Sequence, residues 1–515
     1  MNLLRAAATI SGLTMLSRIT GLVRDLLISR IFGASAETDA FNVAFRLPNL
    51  LRRLFAEGAF QQAFVPMLAG VRRQQGDDGM RNLVDHVASA LFWTLLTVSA
   101  IGVALAPVLV WLIASGLAAN PVAFDLATVM TRWMFPYILF MSLVSLGAGV
   151  LNTFHRFGIP AVTPVLLNLS FIGCAIFLSP HLARPIMALA FAVVIGGALQ
   201  LGLQGAALRR MGLLPRIGSL RAAFADAGVR RILRLMLPAV FAVSVAQLSI
   251  IINTNIASHL AAGSVTWLAF ADRLMEFPTA LLGVALGTVL LPALSKAGAE
   301  GHAEDYSRLL DWGLRLTCLI ALPAALGLGL LADGLVAVLF QGGRFSAHDV
   351  TQTALALTGY AVGLLGLITV KILAPGFYAQ QDVKTPVKIA VISLLATQAA
   401  NVAFVPLLAH AGLALSVGIG ALVNAALLFA GLRRRGVYQP QPGWPRFAVK
   451  VAVALAALAT LLWFAGRRID WIAMQGALTT RAIWLAGVIA AAMALYFGLL
   501  WLFGFRLRDF SLRAR

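Results

Sequence analysis

The most constraining feature of the sequence is the stretch between residues 14 and 66, which is as apolar as a membrane hairpin but carries many charges. It reads as two apolar helices joined by a short acidic turn, ASAETD. Each arginine at the centre of a spanning helix costs about 2.5–3.5 kcal/mol on insertion scales. A hairpin with several of them must therefore place them in a polar cavity. Six arginines lie within it: Arg18, Arg24, Arg30, Arg46, Arg52 and Arg53.

The rest of the chain is also strongly apolar. Of its 515 residues, 60% are hydrophobic and only 12% are charged, whereas soluble domains carry about 25% charged residues. Apolar runs long enough to cross the ~30 Å hydrocarbon core recur from end to end. The sequence therefore predicts an all-α polytopic membrane protein, with no removable signal peptide at MNLLRAAATI. We predict 14 transmembrane helices at roughly residues 5–32, 38–67, 82–114, 122–152, 159–179, 184–208, 231–257, 265–294, 308–331, 350–378, 386–409, 412–432, 446–466 and 480–505.

The net charge of +20 is distributed unevenly among the connections between these spans. One alternating set, which includes both termini, carries 25 lysines and arginines, the opposite set carries 5, and the remaining 10 lie within spans. Because basic connections stay in the cytoplasm, this asymmetry places both termini and the basic loops on the cytoplasmic side. The charge is explained by topology and by attraction to anionic membrane lipids, so nucleic-acid binding is not expected.

A weak internal repeat relates the second and eighth predicted spans. Both spans have Arg-Leu near their start, at Arg46 and Arg273, and both end with Pro-x-Leu, at Pro66 and Pro292. The two copies lie about 226 residues apart. Six spans separate the copies, so they share one orientation, as in a parallel repeat. The pattern predicts two pseudo-symmetric six-helix lobes followed by a C-terminal helix pair. The predicted ranges are 1–212, 222–436 and 444–515.

Residues typical of catalytic or metal sites are scattered. The seven histidines form no H-E-x-x-H or Cys/His motif, and the two cysteines, Cys174 and Cys318, lie in separate apolar runs. The sequence also lacks G-x-x-x-x-G-K-[ST], the loop that cradles nucleotide phosphates. We therefore expect no metal ion, no cofactor and no enzymatic activity. Gly359 and Gly363 form a small-xxx-small pattern, which indicates a close contact between helices.

The charges of the first two spans follow a helical pattern. With a rise of 1.5 Å per residue, Arg18 and Arg52 lie near mid-membrane, and Arg24 and Arg46 lie roughly 9 Å nearer the periplasmic face. Arg273 of the eighth span lies at the same level, so we expect a cavity shared by the lobes. Because arginine exceeds carboxylate there, the ligand should be anionic, and guanidinium forks suit phosphate or pyrophosphate. Two sets of residues spaced by three and four form the polar stripes: Ser11, Thr14, Arg18, Gly21 and Asp25, and then Asn42, Arg46, Asn49 and Arg53.

Several charged side chains have simpler interpretations. Arg30 and Arg53 could reach the membrane interface or pair with Glu57, so structural and functional roles are evenly weighted. Arg315 and Lys371 lie near the ends of spans, where a structural role is favoured.

The acidic residues are open to the same reasoning. Asp25 and Asp272 can simply compensate neighbouring arginines, and Asp39 can begin the second helix as a favourable N-terminal charge. A functional role is favoured for four arginines: Arg18, Arg24, Arg52 and Arg273.

Four long stretches of the sequence carry a family resemblance. They read SRITGLVRDLLISRIFGA, TDAFNVAFRLPNLLRRLFAEGAFQQAFVPML, ADRLMEFP with GVALGTVLLPALS, and LAPGFYAQQDVKTPVK. They are similar to the MurJ (MviN) family of lipid II flippases, and the resemblance covers essentially all 515 residues. It implies the multidrug/oligosaccharidyl-lipid/polysaccharide exporter fold. In that family the two added C-terminal helices help to form a groove for the prenyl tail.

The resemblance also implies roles for individual residues, and the sequence does not depart from the family at any of these positions. It implies substrate-binding arginines at Arg18, Arg24, Arg52 and Arg273, and secondary cavity or gate positions at Asp25, Asp39, Asn49, Glu57, Asp272 and Glu276.

The function implied by the resemblance is a lipid flippase. It would move undecaprenyl-pyrophosphate-linked disaccharide-pentapeptide (lipid II) from the inner to the outer leaflet of a bacterial inner membrane by alternating access. Membrane potential or an ion gradient would drive it. The expected partners are lipid II, membrane lipids and proteins of cell-wall synthesis.

Three alternative functions are less consistent with the sequence. An ion-coupled exporter of drugs or of another polyprenyl-linked oligosaccharide would share the fold, but a drug exporter predicts an acidic and aromatic cavity. A membrane glycosyltransferase or polymerase would need a carboxylate or histidine base near the extracellular side. A non-transporting scaffold for cell-wall enzymes would not explain the buried arginines.

Overall fold

The structure of the protein, a computed structural model, describes residues 3–52, 59–300 and 302–506. These residues fold into α-helices joined by short connections, so the predicted all-α fold is confirmed for them. The helices divide by packing into two compact units, Met1–Val265 and Thr266–Arg515.

The first unit contains ten helices within the described residues. Helices α3, α6, α9 and α10 pack around one apolar cluster that includes Phe60, Phe64, Leu83 and Val150. The helices are α1 (Leu3–Phe32), α2 (Ala36–Arg52), α3 (Ala59–Ala104), α4 (Ala106–Ile113), α5 (Pro121–Met134), α6 (Tyr137–Thr153), α7 (Gly158–Gly173), α8 (Met187–Arg210), α9 (Leu220–Ala225) and α10 (Ala227–Ser258).

The second unit begins with α11, whose first residues precede the boundary at Val265. Its core includes Leu290, Leu310, Phe377 and Leu432, which brings α11, α12, α14 and α15 together. The helices are α11 (Ser264–Ala299), α12 (Ala303–Leu330), α13 (Ala332–Phe340), α14 (Ala347–Tyr378), α15 (Lys384–Arg434), α16 (Trp444–Arg468) and α17 (Leu478–Leu502).

Two of the long helices contain an abrupt change of direction. In α3 it occurs at Gly76, with φ of 71°, a conformation that glycine adopts without steric cost. In α15 it occurs at Ala409, with φ of 49°, where an alanine is strained. The second break lies at the predicted boundary between two spans. The break at Gly76 lies inside the predicted RRQQGDDG connection, so the two parts of α3 extend further into this connection than predicted.

Most predicted spans coincide with single helices or with pairs of consecutive helices, apart from residues 53–58, which lie outside the described part. Two helices each contain parts of two predicted spans: α3 contains the end of the second and most of the third, and α15 contains the eleventh and the twelfth. The segment 332–340, predicted as a connection, is instead the helix α13. Within the described residues, nine helices are long and apolar enough to cross a membrane. Two of the nine contain 45 and 51 residues, and each includes one of the breaks. The count of 14 crossings stays a prediction.

The predicted glycine contact between helices is confirmed. Gly363 of α14 lies against Gly418 of α15, so closely that a Cβ at position 363 would lie 2.1 Å from the Gly418 Cα. Such an approach brings backbone against backbone and requires the absence of side chains. The two predicted lobes and the C-terminal pair remain a prediction about repeats, which the packing units do not test.

Candidate functional site

Arg24 lies in the C-terminal part of α1 and is held from two sides. Its Nε and Nη2 donate to Asp25 Oδ1 over 2.9 and 2.7 Å, and its Nη1 donates to Asn168 Oδ1 of α7 over 3.0 Å. The Arg24 and Asp25 side chains are 13% and 15% exposed. The carboxylate compensates the charge, as one of the two interpretations predicted, while the amide holds the guanidinium without neutralising it.

Asn168 is a site residue that the sequence analysis missed. It is buried, and its Nδ2 donates to Ser17 O over 3.0 Å and to Thr20 Oγ1 over 3.1 Å, so its orientation is fixed by α1. Gly21 lies opposite, where an added Cβ would approach Asn168 Nδ2 to 3.5 Å. The available signal was one amide inside the apolar run LLNLS.

The ring of Phe171, one turn after Asn168 on α7, completes the surroundings of Arg24. The Arg24 guanidinium carbon lies 5.4 Å from the ring centroid, within the range of a cation–π contact. The α7 face therefore offers an amide acceptor and an aromatic ring to one cation.

Arg52 ends α2 and is held by an amide as well. Its Nε and Nη2 donate to Asn49 Oδ1 over 3.1 and 2.9 Å, a pairing that the spacing of three residues on a helix allows. Arg18, one and a half turns before Arg24 on α1, is exposed. The structure thus places Arg18, Arg24 and Arg52 on α1 and α2 with different degrees of restraint.

Asp39 lies in the first turn of α2 and is buried. Its Oδ2 accepts a hydrogen bond of 2.7 Å from the backbone N–H of Gly263, in the turn before α11. The predicted N-terminal charge is therefore present, and it also holds a connection more than 200 residues away in the sequence.

In the second unit, Arg273 of α11 forms a loose pair with Glu276. Arg273 Nη1 lies 3.5 Å from Glu276 Oε2, and the two side chains are 48% and 45% exposed. Asp272 is half-buried beside them. Lys371 of α14 donates to Thr279 O over 3.1 Å, which supports the structural role favoured for it.

Two of the predicted residues, Glu57 and Arg53, lie outside the residues that the structure describes. In the described ranges, no group of three or more His, Cys, Asp or Glu side chains is placed to hold a metal ion. The chemistry available from the described side chains is hydrogen bonding and charge attraction to an oxyanion. The assignment of Arg18, Arg24, Arg52 and Arg273 to one ligand stays a prediction.

The chain resembles known proteins along its whole length. The family model described as "Lipid II flippase MurJ" matches residues 28–480. The curated Lipid II flippase MurJ of Burkholderia cenocepacia is 55% identical, and the alignment covers 100% of both chains. The Probable lipid II flippase MurJ of Vibrio cholerae is 38% identical, with 98% of this chain and 97% of the relative covered.

Solved structures with the same fold include the following two. "Lipid II flippase MurJ, inward closed conformation" matches with a TM-score of 0.80 at 22% identity, covering 97% of this chain and 99% of that one. An inward-facing MATE-family multidrug resistance transporter of the MOP superfamily matches with a TM-score of 0.68 at 14% identity, covering 83% and 98%. At these identities the structural matches show the fold alone. Together with the family model and the relatives, they show that this chain is a member of the lipid II flippase MurJ family.

Proposed function

We propose that this protein is a flippase, a transporter and not an enzyme, that moves lipid II from the inner to the outer leaflet of the bacterial inner membrane. The observation that carries the proposal is the Arg24 arrangement: a guanidinium on a helix that the sequence predicts to cross the membrane is held in a fixed orientation by Asn168. Membership of the family supplies the substrate class.

The ligand chemistry follows from the side chains. Arg18, Arg24, Arg52 and Arg273 bind the pyrophosphate, because guanidinium groups can donate two parallel hydrogen bonds to phosphate oxygens. The pyrophosphate and sugars cannot enter hydrocarbon without polar partners. The prenyl tail stays in lipid, in a groove formed by the C-terminal pair α16 and α17.

Asp25 gives the empty site a counter-charge. It accepts two hydrogen bonds from Arg24, so an arriving pyrophosphate competes with it for the same donors. Because Asn168 is neutral and can remain bonded to Arg24, the guanidinium keeps its orientation during the exchange. We infer that ligand binding replaces the Asp25 contact and retains the Asn168 contact.

Transport proceeds by alternating access, with five residues as secondary cavity or gate positions: Asp39, Asn49, Glu57, Asp272 and Glu276. Membrane potential or an ion gradient supplies the energy. Since cells are negative inside, the potential acts by returning the empty, positively charged cavity toward the cytoplasm. Loss of transport on collapse of an ion gradient at constant potential would count against this step.

Both termini and the basic connections lie in the cytoplasm in this proposal, as the distribution of lysine and arginine predicts. Membrane lipids surround the protein, and proteins of cell-wall synthesis are its expected partners.

The test is depletion of the protein with complementation by variants, scored by the leaflet that holds the lipid-linked precursor. Arg24→Ala and Arg273→Ala should each leave the precursor in the inner leaflet at normal protein level, whereas the exposed Arg184→Ala, the matched control, should complement. Normal outward movement with Arg24→Ala or Arg273→Ala would contradict the arginine mechanism. Arg→Lys variants separate paired hydrogen bonding from positive charge alone.

A further inference from the structure

Asp311 of α12 is a buried carboxylate outside the arginine site. Its Oδ1 accepts hydrogen bonds from Tyr438 Oη, Trp444 Nε1 and Gln441 N over 2.8, 2.7 and 3.1 Å. Its Oδ2 accepts one of 2.7 Å from Arg315 Nε. Three of the four donors belong to the connection between α15 and α16 or to the start of α16. Asp311 therefore attaches the C-terminal pair to α12.

The neighbours of Asp311 on the same face of α12 hold the same connection. Ser307, one turn before, accepts from Gln439 N and donates to Gln439 O, both over 2.9 Å. Arg315, one turn after, donates to Gln441 O and Pro442 O over 3.2 and 3.0 Å. Three side chains at a spacing of four residues thus form hydrogen bonds with four residues of the connection: Tyr438, Gln439, Gln441 and Pro442.

Burial keeps the tyrosine of this cluster protonated. Tyr438 lies in the connection and is buried. Burial and the hydrogen bond to Asp311 raise the pKa of Tyr438, so its hydroxyl keeps the proton that it donates.

The first unit contains, on α3, a similar set of side chains that bind a connection. Asp85 Oδ1 accepts a hydrogen bond of 2.8 Å from Arg216 N, and Ser89 Oγ accepts one of 2.8 Å from Gly218 N. Trp93 Nε1 donates to Gly218 O over 2.9 Å. These three side chains are again spaced by four residues, and they form hydrogen bonds with the connection that follows α8.

Asp85 and Asp311 are separated by 226 residues, the spacing of the repeat predicted from Pro66 and Pro292. In both cases a carboxylate accepts the backbone N–H of the connection that leaves the sixth predicted span of its lobe. Both connections also begin with a glycine of positive φ, Gly212 at 69° and Gly436 at 70°. The hydrogen-bonded clusters around Asp85 and Asp311 are equivalent elements of one repeat.

We propose that Asp85 and Asp311 are equivalent positioning residues, each fixing the element that follows its repeat, and that Asp311 thereby orients the lipid-tail groove. Asp85 fixes the connection to α9 and α10, whereas Asp311 fixes α16. This inference rests on the proposed function, because it assigns the tail of the transported lipid to the α16–α17 pair.

The attachment of α16 is shared with α17. Tyr496 of α17 donates to Leu319 O of α12 over 2.9 Å, about two turns along α12 from Asp311. Lys450 of α16 donates to Phe503 O at the end of α17 over 2.6 Å. A shift of α16 at Asp311 therefore moves the wall that the tail contacts, while Arg24 and its partners on α1 and α7 keep their contacts.

The test compares two substrates in proteoliposomes of purified protein: the pyrophosphate-linked disaccharide-pentapeptide with a full-length polyprenyl tail, and the same headgroup on a short prenyl tail. Asp311→Asn keeps the size of the side chain but removes its charge. It should lower the transport rate of the long-tailed substrate about tenfold relative to the short-tailed one, as loss of charge-assisted hydrogen bonds predicts. Tyr438→Phe, which removes one donor, should act in the same direction more weakly.

Asp85→Asn is the matched control, since it removes the equivalent charge from the hydrogen-bonded cluster on α3. It should change both rates by the same factor. An unchanged long-to-short ratio in Asp311→Asn, or an equal fall of that ratio in Asp85→Asn, would overturn the inference. If the unmodified protein moved neither substrate, the proposed function itself would fail.

Discussion

Asn168 Oδ1 accepts a hydrogen bond of 3.0 Å from Arg24 Nη1, while Asn168 Nδ2 is bonded to Ser17 O of the helix that carries Arg24. The amide therefore fixes the Arg24 guanidinium without removing its charge. An aspartate at the same place would fix it equally well but would compete with an anionic ligand.

Replacing Asn168 should weaken transport through the orientation of Arg24. We expect Asn168→Ala to lower the rate of lipid II movement about tenfold, because a hydrogen bond to a charged group is lost. The leaflet assay in depleted cells measures the effect. Leu169→Ala, a change at a neighbouring exposed side chain, is the control and should leave the rate unchanged. Equal rates for the two variants would refute a positioning role.

Replacing Arg481 should destabilise the second unit. This arginine is fully buried at the start of α17, where its Nη1 donates to Gln341 Oε1 and, over 3.3 Å, to Trp471 O. Arg481→Met leaves the buried Gln341 and the Trp471 carbonyl without this donor, and we expect a loss of about 1–3 kcal/mol. Thermal unfolding in detergent checks it, with the exposed Arg468→Met as control. A melting temperature no lower than that of the control would contradict the prediction.

The close contact between α14 and α15 should not tolerate a side chain. Gly363→Ala puts a methyl group against the Gly418 backbone, and overpacking of this kind costs about 1–3 kcal/mol. Gly487→Ala of α17, where no atom lies within 4 Å of the added methyl group, is the matched substitution. The difference between the two melting temperatures measures the cost, and equal values would show that the helices can separate without penalty.

Asp382, in the connection between α14 and α15, should make stability depend on pH in acid. Hydrogen bonds from Thr385, then Arg435, lower its pKa to about 2 from an ordinary 3.8. Thr385 N and Arg435 Nη1 donate to it over 3.0 and 2.7 Å. Because the pKa of Asp382 is lower in the folded protein than in the unfolded one, its contribution to the free energy of unfolding is complete above pH 3.8 and is lost as the pH falls toward 2.

Melting curves of the unmodified protein and of Asp382→Asn check this prediction between pH 2 and 5. The unmodified protein should be the more stable at the upper end of this window, and the difference should shrink as the carboxylate is protonated. A difference that stays constant over the whole window would show that the carboxylate charge contributes nothing.

The positions of the helices were largely predictable, because hydrophobic runs and turn residues are local signals. Predictions failed where a local signal was ambiguous. The segment of α13 was predicted to connect two spans, whereas in the structure it is a helix and Gly334 packs against Trp471.

The partners of the charged residues were less predictable. Asn49 was found because it shares a helical face with the residues around Arg52, whereas Asn168 lies 144 residues from Arg24. The roles of Asp85 and Asp311 could not be predicted, since each accepts hydrogen bonds from a connection that lies far along the chain.

The sequence by itself determined the class of protein and the family, and it predicted a repeat and a set of arginines that need a polar environment. These follow from hydrophobicity, from charge and from motifs along one continuous stretch of chain. Only the tertiary structure decided which group holds each charge. Asn168 and Asp311 act through hydrogen bonds of about 3 Å between helices far apart in sequence, and such distances depend on how the helices pack.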